Sequence, residues 1–259
     1  MEVLKLGGSV VTDKNRAMAP NTEAIHRLAE EVLAAGPRPL VIVHGGGSYG
    51  HPLAKEYDIA SGYTSSRQLL GFSRTHQAMV RLNALVVDSL LDAGVPAASV
   101  APSSFIVTED RRIADLNATV VKRYTDSGFV PVLYGDAVLD SERKFTILSG
   151  DQLAVRLALD LEAGRLLFGV DVDGVFTANP KLVPEARLIE ELSLANARGM
   201  VKIGESLGTD VTGGMLGKVT EAAAAVEAGI EVRIVNALKP GVVRGVLTGE
   251  KVSGTRLRP

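Results

Sequence analysis

Short apolar runs alternate along this chain with longer segments of helical periodicity. The apolar runs are rich in Val, Ile and Leu, and each is followed by Gly, Asp or Asn. They predict five β-strands, at residues 2–6, 40–44, 129–134, 165–170 and 231–235. The helical periodicity predicts helices at residues 22–35, 69–93, 152–161 and 218–228.

This alternation is typical of an α/β fold, and we predict a three-layer sandwich with a mainly parallel central sheet. No stretch has the composition of a linker, and no internal repeat is found. We therefore expect one domain over residues 1–259, with two lobes that divide near residue 150. Ligands of parallel α/β sheets bind at the carboxyl ends of the strands, so the residues that follow each strand are the candidates for chemistry.

The composition sets limits on function. The chain has 259 residues, is 46% hydrophobic and 22% charged, and carries a net charge of −2, so no basic field favours nucleic acid or an anionic membrane. It has no cysteine, which excludes disulfides, thiolate metal sites and a cysteine nucleophile. No signal peptide or membrane-spanning run is evident, and we expect a cytoplasmic protein.

The first strand is followed by two adjacent glycines. Gly7 and Gly8 come directly after it, Lys5 lies at its end, and Lys14 follows a little further on. Adjacent glycines allow the backbone to approach a ligand closely, and their N–H groups can line an anion site. A plain tight turn is the alternative interpretation.

The second strand is followed by Gly45, Gly46 and Gly47 and then by a predicted helix start. Exposed N–H groups and the positive end of a helix form a phosphate cradle. The spacing matches neither the Gly-x-Gly-x-x-Gly fingerprint nor the P-loop. His51 follows the glycines, where an imidazole could donate to a phosphate oxygen. A lone histidine is more often structural, but its position here favours an anion contact.

The carboxy-terminal half carries three further clusters. Gly150-Asp151 precedes a predicted helix. Asp171 follows the fourth strand, and this Asp-rich strand end could bind a metal, could hold lysines and a ribose hydroxyl, or could only cap a turn. Residues 208–217 form a glycine-rich loop that leads into Lys218, in the first turn of a predicted helix. The helix dipole disfavours a cation there, so a polyanion in front of Lys218 is indicated, with a solvated surface lysine as the alternative.

These motifs together favour phosphoryl transfer, in which catalysis is mostly positioning and charge neutralisation. The chain has three glycine-rich loops and three candidate lysines, whereas no Ser-His-Asp set and no histidine metal site is apparent. A nicotinamide-dependent oxidoreductase would need Gly-x-Gly-x-x-Gly after the first strand, where this chain has Gly7-Gly8-Ser9.

In this order, the motifs resemble those of the amino acid kinase family. The likeness rests on residues 5–9, 44–47, 150–151, 171–176 with 179–181, and 213–218, and so spans nearly the whole chain. The histidine-bearing loop is most similar to the branch that phosphorylates isopentenyl phosphate to isopentenyl diphosphate. A fosfomycin-type or other small-molecule kinase of the family remains an alternative. A nucleotide-binding regulatory or storage protein is the non-enzymatic one, and it predicts loss of the lysines that this chain keeps.

The resemblance implies a role for each motif. Residues 1–149 would bind the phosphate-bearing acceptor and residues 150–259 would bind ATP. Lys5, Lys14 and Lys218 would surround the transferred phosphoryl group, with Lys14 stabilising the transition state and Asp151 orienting the other two lysines. The acceptor phosphate would contact Gly46, His51 and Gly150, and the contacts to ATP would be Lys5, Gly7, Gly8, Gly47, Asp171, Gly213 and Lys218.

The resemblance also implies Mg²⁺ carried by the nucleotide, no metal cage made by protein alone, and a homodimer. An apolar acceptor tail would need an apolar pocket. The sequence candidates for that pocket, which ordinary core packing would explain equally, are Ile59, Phe72, Met79 and Ile147.

Overall fold

The computed structural model describes residues 1–178, 180, 182–197 and 213–259. Its strands, in chain order, are β1 (Glu2–Leu6), β2 (Leu40–His44), β3 (Ala97–Ser99), β4 (Ile106–Glu109), β5 (Arg112–Leu116), β6 (Val130–Tyr134), β7 (Asp136–Asp140), β8 (Lys144–Leu148), β9 (Arg165–Val170), β10 (Glu191–Ser193), β11 (Glu231–Asn236) and β12 (Thr255–Arg258). Its helices are α1 (Gly8–Val11), α2 (Thr22–Ala34), α3 (Gly47–Glu56), α4 (Arg67–Asp92), α5 (Thr119–Asp126), α6 (Gly150–Asp160), α7 (Gly213–Glu227) and α8 (Val242–Thr248).

Eight strands form the main sheet, in the order β10-β12-β11-β9-β1-β2-β6-β3. All neighbouring pairs are parallel except β11 with β12. Leu6, in β1, is level with His44 of β2 and with Gly169 of β9. The loops that follow these three strands therefore leave the sheet side by side at one edge.

Alternate residues of the central strands enter two separate hydrophobic cores, because successive side chains of a strand point to opposite faces. One core holds Val3, Val41, Leu166 and Phe168 together with side chains of α5, α6 and α7. The other holds Leu4, Ile42 and Leu167 together with side chains of α2, α4 and α8. Helices thus cover both faces of a mostly parallel sheet, which confirms the predicted three-layer α/β fold.

A second sheet of four short strands, in the order β5-β4-β7-β8, was not predicted. Its strands have four or five residues each, and tight turns join β4 to β5 and β7 to β8, so their period is too brief to recognise in the sequence. The sheet matters for the site, because β8 ends at Leu148 and the chain then passes directly through Ser149 into α6.

Most predicted elements agree with the structure to within two residues, and the helix near Lys218 is the exception. The predicted start at residue 218 is wrong, since α7 begins at Gly213 and Lys218 is its sixth residue, in the second turn. The dipole argument made for Lys218 is weakened accordingly, because the dipole acts mainly on the first turn. Helices α1, α5 and α8 were not predicted, and α3 was predicted only as a helix start after the glycines of the second loop. Within the part of the chain that is described, no helix has both the length and the apolar character needed to cross a bilayer.

Candidate active site

A cavity of about 980 Å³ opens at the carboxyl ends of β1, β2 and β9. Eleven of the predicted site residues line it: Lys5, Gly7, Gly8, Lys14, Gly46, Gly47, His51, Gly150, Asp151, Asp171 and Lys218. The twelfth, Gly213, is the first residue of α7, whose next two residues line the cavity. Of the quoted motifs, residues 179, 181 and 208–212 lie outside the described part of the chain.

Two of the glycine-rich loops touch each other backbone to backbone. A Cβ atom placed on Gly8 would lie 2.4 Å from the backbone nitrogen of Gly47. Gly47 has a φ of 46° and a Cβ there would lie 2.0 Å from Oγ1 of Thr12, so only glycine fits. Thr12 was not predicted: its hydroxyl donates to the carbonyl of Gly8 at 2.7 Å and accepts from the N–H of Ser48 at 3.0 Å. The glycines therefore have a packing role in addition to any contact with a ligand.

Besides the single-turn α1, which begins at Gly8, three longer helices of the described chain begin at the cavity. The first residues of α3, α6 and α7 are Gly47, Gly150 and Gly213. The first four N–H groups of a helix have no partner within the helix, and the helix dipole adds partial positive charge at that end. Three such ends around one cavity favour an anionic ligand.

A single carboxylate joins the two buried lysines of the site. Asp151 places Oδ1 2.6 Å from Nζ of Lys5 and Oδ2 2.6 Å from Nζ of Lys218. Lys5 and Lys218 are only 5% and 8% exposed. Asp151 is in the first turn of α6, Lys5 is in β1 and Lys218 is in α7, so the three side chains also connect three elements.

The charges of this cluster do not balance, since two ammonium groups share one carboxylate. Burial lowers the pKa of Lys5 to about 8, and the charge of Lys218 lowers it as well, against the opposing effect of Asp151. Burial alone would raise the pKa of Asp151, but the two lysines outweigh it and hold that pKa below its usual value. The cluster therefore has excess positive charge, which a polyanion in the cavity would stabilise.

Lys14 reaches the same cavity from a more open position. Its Nζ lies 2.9 Å from Oδ2 of Asp171, and its side chain is 55% exposed. Ion pairs of this exposure contribute little to stability. Lys14 is therefore able to exchange a carboxylate for a phosphate at small cost.

Of the two histidines near the second glycine loop, only His51 lines the cavity. Burial lowers the pKa of His51, and the charge of Lys5 lowers it further. His44, at the end of β2, is wholly buried instead, with Nε2 3.1 Å from Oδ1 of Asn83. Burial lowers the pKa of His44 to about 4, so it is neutral and belongs to the core.

The cavity also has an apolar part. Met79 and Ile147, two of the four apolar candidates, line it, as does Ala54. The other two, Ile59 and Phe72, pack with Phe145 in a small adjoining hydrophobic cluster. Met79 lies under the second glycine loop, because a Cβ on Gly50 would lie 2.8 Å from its sulfur.

Fold and cavity together define an α/β protein with a cavity between glycine-rich loops and lysines that suits an anionic ligand. Comparison with known proteins identifies the family within this class. The model of the amino acid kinase family matches residues 1–236, and the chain belongs to that family.

Among curated relatives, the chain is similar to the isopentenyl phosphate kinase of Methanothermobacter thermautotrophicus, with 43% identity over 99% of this chain and 98% of that protein. It is 33% identical to the isopentenyl phosphate kinase of Thermoplasma acidophilum over the full length of both chains. The glutamate 5-kinase of Sodalis glossinidius is also 33% identical, over 98% of this chain but only 67% of that enzyme.

Solved structures agree with these relatives. An isopentenyl phosphate kinase structure superposes with a TM-score of 0.88 and 41% identity, covering 99% of both chains. A substrate complex of an isopentenyl phosphate kinase gives a TM-score of 0.80 at 31% identity over the whole of both chains. A UMP kinase from Ureaplasma parvum, at 18% identity and a TM-score of 0.64, shares the fold.

The shared carboxylate yields a test of the lysine cluster. Asp151→Asn removes the anion that favours a charged Lys5, so the pKa of Lys5 should fall below its starting value of about 8. NMR titration of the lysine side chains, in protein with 13C,15N-labelled lysine, measures this shift, and Lys5→Arg assigns the resonance. Asp126→Asn, which removes the carboxylate of the exposed Lys122 pair, is the control and should leave Lys5 unchanged. A Lys5 pKa that stays constant or rises in Asp151→Asn contradicts this account of the charges.

Proposed function

We propose that this protein transfers the γ-phosphoryl group of ATP to isopentenyl phosphate, forming isopentenyl diphosphate and ADP. One observation carries the proposal: the three lysines and His51 line one cavity, which also has an apolar part. The similarity over full length to isopentenyl phosphate kinases supports the choice of acceptor.

The chemistry needs positioning more than acid or base catalysis. A phosphate monoester is largely ionised at neutral pH, since its second pKa is about 6. One of its oxygens attacks the γ-phosphorus, the bond from that phosphorus to the β–γ bridging oxygen breaks, and ADP leaves with the electron pair. No side chain has to remove a proton from the acceptor.

The main barrier is electrostatic, because both reactants are polyanions. Two unit charges 4 Å apart repel each other by about 4 kcal/mol at an effective dielectric constant of 20. We propose that Lys5 and Lys218, held by Asp151, and Lys14 offset this repulsion around the transferred group. The helix N-termini add partial positive charge on the same side of the sheet.

The two halves of the cavity receive different substrates in this proposal. Residues 150–259, with Gly213 and Lys218 of α7, bind ATP together with Gly7, Gly8, Gly47 and Asp171. Residues 1–149, with Gly150 of α6, bind the acceptor, whose phosphate contacts Gly46, Gly150 and His51. The acceptor's hydrocarbon tail lies against Met79 and Ile147.

The lysine contacts of two cavity carboxylates are consistent with a magnesium ion that is held mainly by the nucleotide. Asp151 contacts two lysines and Asp171 contacts Lys14, so both carboxylates already have cationic partners. Mg²⁺ usually binds through substrate phosphates with few protein ligands, and it would neutralise charge on the β- and γ-phosphates. Magnesium, a homodimer and a cytoplasmic location form part of the proposal on the strength of the family.

The first test is an assay of ATP consumption with isopentenyl phosphate, fosfomycin, acetylglutamate, glutamate and uridylate as acceptors. We expect turnover with isopentenyl phosphate at a kcat/KM at least about 100-fold above the others, a difference of roughly 2.7 kcal/mol. Mass spectrometry of the product identifies the diphosphate. Preference for fosfomycin or for a carboxylate acceptor would refute the proposed substrate.

Lys14 is tested by its effect on the chemical step. Lys14→Ala should lower kcat about 100-fold while changing either KM less than about threefold, because its contact forms mainly in the transition state. The matched control is Lys122→Ala, since Lys122 has a similarly exposed side chain that pairs with Asp126 at 2.7 Å outside the cavity. Weaker binding at an unchanged kcat would remove Lys14 from the proposed role.

His51 is tested by its titration. Burial and Lys5 lower its pKa in the free protein, whereas a neighbouring phosphate favours the imidazolium. We therefore expect isopentenyl phosphate to raise the pKa of His51, as NMR titration would show. His26 in α2, which is not among the cavity residues, is the internal control. A lowered His51 pKa in the complex is the contrary result.

A further inference from the structure

One carboxylate in the wall of the cavity has no part in the roles proposed above. Asp136 begins β7, is 1% exposed, and is among the residues that line the cavity. It follows Gly135, on which a Cβ would lie 3.0 Å from the backbone nitrogen of Gly150. Asp136 is thus adjacent in sequence to Gly135, which packs against Gly150, one of the proposed contacts of the acceptor phosphate. An uncompensated negative charge here would oppose the binding of a phosphate.

His76, in α4, is the partner of this carboxylate. Its Nδ1 lies 3.0 Å from Oδ2 and 3.1 Å from Oδ1 of Asp136, with Oγ of Ser103 3.4 Å away. The N–H of Ala137 donates to Oδ1 of Asp136 at 2.8 Å. The hydrogen bond to Asp136 raises the pKa of His76, while burial raises the pKa of Asp136. Both shifts favour a proton held between the two groups, and with Nε2 of His76 also protonated the pair as a whole has no net charge.

Two roles of His76 can be separated by chemistry. In a purely structural role, His76 would only link α4 to β7 by a hydrogen bond and so keep Thr75 and Met79 of α4 at the cavity. Any side chain that donates a hydrogen bond from the position of Nδ1 could fill that role. In an electrostatic role, His76 must in addition cancel the charge of the carboxylate, which a neutral donor does not do.

The buried position of Asp136 favours the second role. A carboxylate this deep has little water to screen it, so its field acts on the cavity unless a cation compensates it. A protein that binds a phosphorylated acceptor has a reason to cancel that field. Among the described residues, His76 is the side chain in ion-pair contact with Asp136, and it is a cation when both ring nitrogens are protonated.

We infer that His76 is a positioning residue of the acceptor half of the cavity, where it holds Asp136 and cancels its charge so that a phosphate monoester binds beside it. The inference rests on the proposed function for the identity of the acceptor. His76 acts through Asp136 and does not itself contact the reacting atoms.

The experiment compares four proteins: wild type, His76→Asn, Asp136→Asn and the double variant. Asn places an N–H donor near the position of Nδ1 but has no charge. Isothermal titration calorimetry at pH 6.5 measures the affinity for isopentenyl phosphate and, separately, for ATP, because the raised pKa of His76 keeps more than half of it protonated at that pH. We expect His76→Asn to weaken isopentenyl phosphate binding about tenfold, which is about 1.4 kcal/mol. Asp136→Asn and the double variant should both bind within about threefold of wild type, and ATP binding should change little in all four proteins.

The rescue by the second substitution is the decisive result. The inference is overturned if His76→Asn binds isopentenyl phosphate with wild-type affinity. It is also overturned if the double variant binds as weakly as His76→Asn. Either result means that His76 does not act through its charge. Circular dichroism verifies folding, and should His76→Asn not fold, His76→Gln takes its place with the same expectations. His76→Lys, which restores a cation, should bind more tightly than the neutral variant, and weaker binding by the lysine variant also overturns the inference.

Failure of the proposed function gives a different pattern. If the wild-type protein neither binds nor phosphorylates isopentenyl phosphate, the proposed acceptor is wrong whatever the variants do. Inorganic phosphate then replaces it as the probe in the same four proteins, and the same order of affinities is expected. Equal phosphate affinities in wild type and His76→Asn would overturn the inference independently of the acceptor.

Discussion

The contact of Asp151 with both Lys5 and Lys218 is the interaction on which the site depends. Two buried ammonium groups this close to each other are unfavourable, and the carboxylate between them reduces the repulsion only in part. The protein thus maintains a local excess of positive charge on a chain whose net charge is −2. Burial makes this excess effective, since the low local dielectric strengthens attraction for a polyanion as much as it strengthens the repulsion between the lysines.

The sheet makes this arrangement possible. Because β1 is in register with β2 and β9, the residues after all three strands leave one edge at the same level. The first two glycine loops then approach so closely that Gly8 and Gly47 leave no space for a side chain. A substitution at either glycine would separate the loops, and so it would alter the site without removing any charged group.

The sequence predicted the fold and named many of the residues that line the cavity because their signals are local. The buried parallel strands are continuous apolar runs, and the loops after them are rich in glycine, so β1, β2 and β9 have the predicted bounds. The second sheet was missed because its strands are only four or five residues long. The contacts of Thr12 with Ser48 and of His76 with Asp136 were missed because they join residues 36 and 60 positions apart, and neither threonine nor histidine signals a contact by itself. The position of Lys218 was misjudged because the glycine-rich segment before it reads as a loop, whereas α7 already begins at Gly213.

The charges of the cavity follow one rule, which also explains why a carboxylate is tolerated beside an anion site. Asp151 and Asp171 both contact lysines, and Asp136 contacts a histidine. The lysine contacts leave positive charge in excess where the phosphoryl group would be transferred. The histidine contact, with His76 protonated, leaves no charge in excess where the acceptor would only have to bind. A full positive charge there would hold the phosphate, and then the more highly charged diphosphate product, more tightly. A neutral His76–Asp136 pair in the acceptor half and an excess of positive charge at the transfer point therefore favour turnover over tight binding.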